Sequence, residues 1–65
     1  MKKTDAIKLF DNDVGKTANA VGISYQAVYK WPEDLSVKII SRIVTALMIQ
    51  HRKTEAGEII KRYLK

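Results

Sequence analysis

Apolar side chains recur along this chain at three- and four-residue steps, the period of a helix with one dry face. Ala6, Ile7, Leu9 and Phe10 predict a short first helix that starts at Thr4 or Asp5. Asp11, Asn12 and Asp13 follow as a polar turn whose side-chain oxygens can accept from the free amides of a new helix. Val14, Thr17, Ala18 and Val21 then lie along one side of a second helix. Gly22 stops it, since glycine enters the left-handed region without steric penalty. Ser24 caps a third helix, with Ile23 before the cap and Val28 after it spaced as a hydrophobic staple. Ala27, Val28 and Trp31 face inward from this helix, and Pro32 closes it by excluding Trp31 from helical geometry.

Ser36 opens a fourth helix carrying Ile40, Ile43, Val44, Leu47 and Met48 on one side. Residues 54–65 repeat the pattern with Ala56, Ile59, Ile60, Tyr63 and Leu64. Around His51, Arg52 and Lys53 the pattern fits either a break between two helices or a kink within one. The β-branched Val37, Ile39, Ile40, Ile43, Val44 and Thr45 would also suit a β-hairpin. No turn pair interrupts that run, however, and Ile40, Ile43, Val44 and Leu47 keep the helical step, so helix is expected. The fold class read from the chain is all-α, four to five short helices, with a helix-turn-helix formed by the second and third.

The 65 residues are read as one domain, 1–65, in which 36–65 contributes core and dimer interface. Cysteine is absent, which excludes disulfides and thiolate metal sites, and His51 is the single histidine. With no second ligand beside it, His51 reads as flanking the end of the fourth helix, where positive charge suits the last carbonyls. Asp11 and Asp13 have no glycine-rich cradle or third ligand with them and read as caps. No serine has a His/Asp relay within so short a chain. Neither catalytic residues, metal, cofactor nor small-molecule substrate is therefore expected, and an enzyme is not. No apolar run nears the ~20 residues that span a bilayer, and the basic start leads into no apolar stretch, so no signal peptide is read and a cytoplasmic location is expected. The apolar stripe of the last segment, opposite Lys61, Arg62 and Lys65, could lie on an anionic membrane surface. The need of a small domain for core accounts for it more simply.

Twelve basic against seven acidic residues give a net charge of +5. Such a balance suits a polyanionic partner, although charge also serves solubility alone. Residues 14–33 add a more specific signal. Two short helices meeting at a sharp angle need a small residue in the first, a glycine at the turn and apolar contacts where they touch. Ala18, Gly22, and Val21, Ile23, Val28 and Trp31 meet those needs. On the free side of the third helix stand Tyr25, Gln26, Tyr29 and Lys30. A helix in the major groove presents its first turns to base edges; there Gln26 can bond adenine through two atoms and Lys30 can reach guanine or a phosphate. The tyrosines offer hydroxyls to phosphate and ring edges to thymine methyls.

The stretch Ala18-Asn19-Ala20-Val21-Gly22-Ile23-Ser24-Tyr25-Gln26-Ala27-Val28-Tyr29-Lys30-Trp31 resembles the helix-turn-helix of phage Cro repressors and their prophage relatives. Asp5-Ala6-Ile7-Lys8-Leu9-Phe10 is similar to the first helix of that family. Trp31-Pro32-Glu33-Asp34-Leu35 and Arg42-Ile43-Val44-Thr45-Ala46-Leu47 fall where its fourth helix is approached and entered. The resemblance covers residues 5–48. It implies a dimeric transcriptional repressor binding double-stranded operator half-sites through the third helix. Tyr25, Gln26, Tyr29 and Lys30 would read bases, with Ser24 near the DNA backbone and Lys16 and Lys38 as further phosphate candidates. Thr17 departs from the aliphatic residue usual at its place, and its hydroxyl needs a partner. Phe10-Asp11 replaces the usual Phe-Gly and the loop is one residue longer, which puts Asp11 and Asp13 where a phosphate commonly sits. The rival reading is a protein-interaction module, such as an antitoxin or adaptor, with Tyr25 and Tyr29 as anchors. Apolar residues beyond the motif exceed what a thin core can use, and Ile49, Ile59, Ile60, Tyr63 and Leu64 are the expected homodimer interface.

Overall fold

Five helices follow one another in the computed structural model, which describes residues 1–64. They are α1 (Lys3–Lys8), α2 (Val14–Val21), α3 (Tyr25–Tyr29), α4 (Val37–Ile49) and α5 (Lys53–Tyr63), and no strand is present among the described residues. The all-α class holds, and residues beyond Ser36 form two helices rather than a hairpin or one kinked rod. Lys65, placed by the sequence pattern at the end of the last helix, lies outside the described residues.

Local chemistry fixes most of the starts. The Asp13 carboxylate accepts from the Lys16 amide at 2.9 Å, Ser24 Oγ from the Ala27 amide at 3.1 Å, and Ser36 Oγ from the Ile39 amide at 3.3 Å. Each satisfies a helix-end amide that would otherwise need water, a contribution of ~1 kcal/mol apiece. α1 differs from its expectation. It starts at Lys3 without a side-chain cap, so neither Thr4 nor Asp5 caps it. A distant segment holds this end instead. The Lys3 amide donates to the Glu33 carbonyl at 2.8 Å and the Leu35 amide to the Met1 carbonyl at 2.9 Å, an antiparallel bridge centred on Lys2 and Asp34. The Lys2 ammonium lies 2.9 Å from the Asp34 carboxylate over the same bridge.

Two helices stop through a left-handed residue, a different one in each. After α2, Gly22 takes φ 82°, and the amides of Gly22 and Ile23 both donate to the Ala18 carbonyl. After α4, His51 takes φ 59°, its amide donates to the Met48 carbonyl, and the Arg52 amide donates to that of Leu47. At the end of α4 this is the crossed hydrogen-bond pattern that closes a helix through one left-handed residue, whereas at Gly22 the two amides share one carbonyl. His51 thus stands at the end of α4 as expected, and the structure adds the backbone turn it makes there. Asp11 and Asn12 are left-handed too, at φ 59° and 54°, in the turn after α1.

The main core gathers Ala6, Phe10, Leu35, Ile40, Ile43, Ala46, Leu47, Ala56 and Ile59. A satellite cluster of Ile7, Ala18 and Val28 lies under α3, with Val14, Ile23 and Trp31 half-buried against it. Thr17 is fully buried, and its hydroxyl donates to the Asp13 carbonyl at 2.8 Å, which supplies the partner its position demands. Arg52 locks the α4–α5 corner. Its guanidinium grips the Glu55 carboxylate through Nε at 2.7 Å and Nη2 at 2.5 Å and lies 5.7 Å from the centre of the Phe10 ring. The expected interface set needs one correction. Ile59 is only 6% exposed because α5 turns it into the main core, so it has little surface left for a partner. Leu64 is half-buried against the same cluster, while Ile49, Ile60 and Tyr63 stay exposed.

Candidate nucleic-acid interface

α3 is five residues long and rests on α2 through Val28, which is completely buried. The turn that sets its direction depends on Gly22. A Cβ there would meet no atom within 4 Å, so the requirement is for positive φ and not for space. Ser24 then fixes the first turn, and Ile23 beside Val28 closes the staple expected from their spacing.

With one side so anchored, the other is free. Tyr25 is 55% and Tyr29 66% exposed, and Gln26 and Lys30 are exposed as well. The two rings stack, 6.4 Å between centres and 17° between planes, as neighbours one helical turn apart can. The side chains of Gln26 and Lys30 make no hydrogen bond or ion pair among the described residues. All four residues expected to read bases therefore share one accessible face, with Lys30 as the C-cap of the helix. The Tyr29 carbonyl, at the end of α3, accepts from the Lys3 ammonium, which also lies 5.4 Å from the centre of the Tyr29 ring.

The expected phosphate contacts separate. Ser24 Oγ is used as an acceptor within the cap, which leaves its O–H free to donate outward. Lys16 is exposed but lies 3.1 Å from Asp11, and this hydrogen bond and charge raise its pKa above the ordinary lysine value. Together with Asp13, the cap of α2, that pair puts two carboxylates at the end of α2 where an anion would approach. Lys38 lies apart from them, in an open groove of about 390 Å³ between α2 and α4. Arg42 joins it there, one turn further along α4, and Ser41, Thr45, Ala20, Val21 and Ala46 line the same groove. Arg42 was not singled out from the sequence, although the four-residue step from Lys38 on an exposed face is a readable signal.

Ile49 borders that same groove, whereas Tyr63 lines another with Met1, Leu9 and Arg62. Of the exposed residues expected at a dimer contact, Ile49 and Tyr63 thus lie in different grooves. Val37 and Met48, both exposed on α4, add apolar surface that the sequence reading did not assign to an interface. Among the described residues no three of His, Asp and Glu gather to hold a metal ion, and no helix is long and apolar enough to cross a membrane. No family model, curated protein or solved structure matches this chain.

Proposed function

We propose that this chain is a sequence-specific DNA-binding transcriptional repressor of the kind its Cro resemblance implies, reading operator half-sites in the major groove with α3. One observation carries the reading: α3 is anchored by Val28 and the Gly22 turn while Tyr25, Gln26, Tyr29 and Lys30 remain exposed on its outer side. Gln26 offers an amide that matches adenine N6 and N7, and Lys30 a cation for guanine O6 and N7 or for phosphate. The Ser24 hydroxyl, Lys38 and Arg42 are the backbone contacts, with Lys16 secondary because Asp11 competes for it. The net charge of +5 favours a polyanion, since each seated cation releases counterions. The protein works in the cytoplasm as a homodimer, because one short helix reads too few base pairs to select a site. Val37, Met48, Ile49, Ile60 and Tyr63 supply the apolar surface for that contact.

Selection from random duplexes, followed by salt titration, tests the reading. The wild type should enrich a defined half-site and bind more weakly as salt rises. Gln26→Ala should cost about 1–3 kcal/mol of discrimination at one base pair, whereas Lys38→Ala should weaken all sequences alike and flatten the salt slope by about one unit. An unchanged ranking of half-site variants with Gln26→Ala removes α3 as the reader. The stacked, exposed tyrosines equally suit a protein partner, and that reading is favoured if the chain binds no duplex at any salt.

A further inference from the structure

A helix of five residues has little stability of its own, and its last carbonyls have no partner within it. The Tyr29 carbonyl obtains one from outside the helix-turn-helix, at the start of α1. The Lys3 ammonium donates to the Tyr29 carbonyl across 26 residues of sequence and also lies against the Tyr29 ring. Lys3 is itself held, since its amide donates to the Glu33 carbonyl and it begins α1, whose Ala6 is buried in the main core. Its side chain therefore ties the reading helix to the rigid part of the molecule. Tyr25 stacks against the same ring, so Tyr29 meets both a cation and a second ring while it stays exposed.

We propose that Lys3 is a positioning residue of the α3 surface: it sets where the Tyr25–Tyr29 stack points, and so determines a base preference without touching a base. The inference rests on the reading of α3 as the DNA-contacting helix. It assigns Lys3 a role different from that of a phosphate lysine, because its ammonium is already engaged within the chain. A cation seated on phosphate contributes to the salt slope, whereas a positioning cation contributes to the choice of sequence.

The test compares full-length wild type with Lys3→Met, Lys3→Gln and Lys3→Arg. Selection and salt titration are run on duplex DNA, and Tyr29 ring resonances are followed by NMR in the free protein. With Lys3→Met the Tyr29 resonances should move, and preference at one base pair should flatten about three- to tenfold, the scale of losing a cation–ring contact and a charged hydrogen bond near the surface. The salt slope should stay as in the wild type. Lys3→Arg, which keeps both contacts, should restore the preference. Lys3→Gln, which keeps only a donor for the carbonyl, should fall between them and guards against a Met variant that folds poorly. In a Tyr29→Ala background, which keeps the carbonyl but not the ring, Lys3→Met should have a smaller further effect on preference than in the wild type. An unchanged preference with Lys3→Met overturns the proposal. So does a uniform loss over all sequences with a slope lower by about one, which would make Lys3 a phosphate contact. If the wild type itself discriminates no sequences, the DNA-reading proposal fails, and the role of Lys3 falls with it.

Discussion

The pair α2–α3 and the pair α4–α5 are built from similar parts and used differently. α4 and α5, thirteen and eleven residues long, carry most of the main core between them and α1. α2 and α3, eight and five residues long, lie over a cluster of only three buried side chains. Burial is the largest favourable term in folding, so the first pair is where the domain gets its stability. The second pair keeps its outer surface open by relying on the local Ser24 cap and left-handed Gly22 and on a distant carbonyl contact from Lys3. A face left open in this way needs a helix that is well placed more than one that is deeply buried.

Removing side chains from each cluster in turn probes that division most strongly. Leu47→Ala, at a fully buried position of the main core, should cost ~2–5 kcal/mol and lower the melting temperature of the whole chain. Val28→Ala removes less apolar surface and should cost ~1–3 kcal/mol, with α3 and any DNA binding affected before the rest. Equal loss of α4 amide protection in the two variants, followed by hydrogen exchange, would show one undivided unit.

The two left-handed helix ends offer a finer test. An L-residue pays ~1–2 kcal/mol to sit in that region, so Gly22→Ala should destabilise by about that amount although its new methyl meets nothing. The reverse change at the other pair, His51→Gly, relieves the same strain and should stabilise by up to ~1 kcal/mol, reduced by the greater freedom of glycine in the unfolded chain. Chemical denaturation of both variants measures the signs; a stabilising Gly22→Ala would mean the α2–α3 turn is not what positions α3.

Acid should have the smallest effect, and it acts on the α4–α5 corner. The Arg52 hydrogen bond, with help from its charge, holds the Glu55 carboxyl below its ordinary value of 4.5. A depressed folded-state pKa means stability that is present above about 4.5 and lost as pH falls through the lower, folded value. Melting temperature should therefore decline on acidification, and Glu55→Gln should flatten part of that decline. The pair is partly exposed, so added salt should reduce the difference.

What the chain reveals in its sequence follows the range of the interaction. The Ser24 and Ser36 caps and the Gly22 stop act within four residues, and each was legible from spacing alone. The exposed side of α3 followed from the same period, once Val28 was given to the core. The start of α1 was not legible, because residues 33–35 hold it and no local signal points to them. Ile59 was misplaced for a related reason: the helical period gives α5 an apolar side but does not say that α4 and α1 cover it. Lys3 was invisible as a partner of Tyr29, since nothing in a lysine two residues from the start marks a carbonyl 26 positions away.

The main cluster joins Ala6 and Phe10 near one end of the chain to Ala56 and Ile59 near the other. Its completion thus waits on a loop of about fifty residues, whose closure entropy must be met before those contacts return anything. The α2–α3 turn, by contrast, is closed by short-range bonds. Its own cluster still needs Ile7 from α1, however, so it becomes dry only when the first helix docks. Completion of both clusters therefore depends on contacts between distant parts of the chain, a matter of topology more than of any single contact.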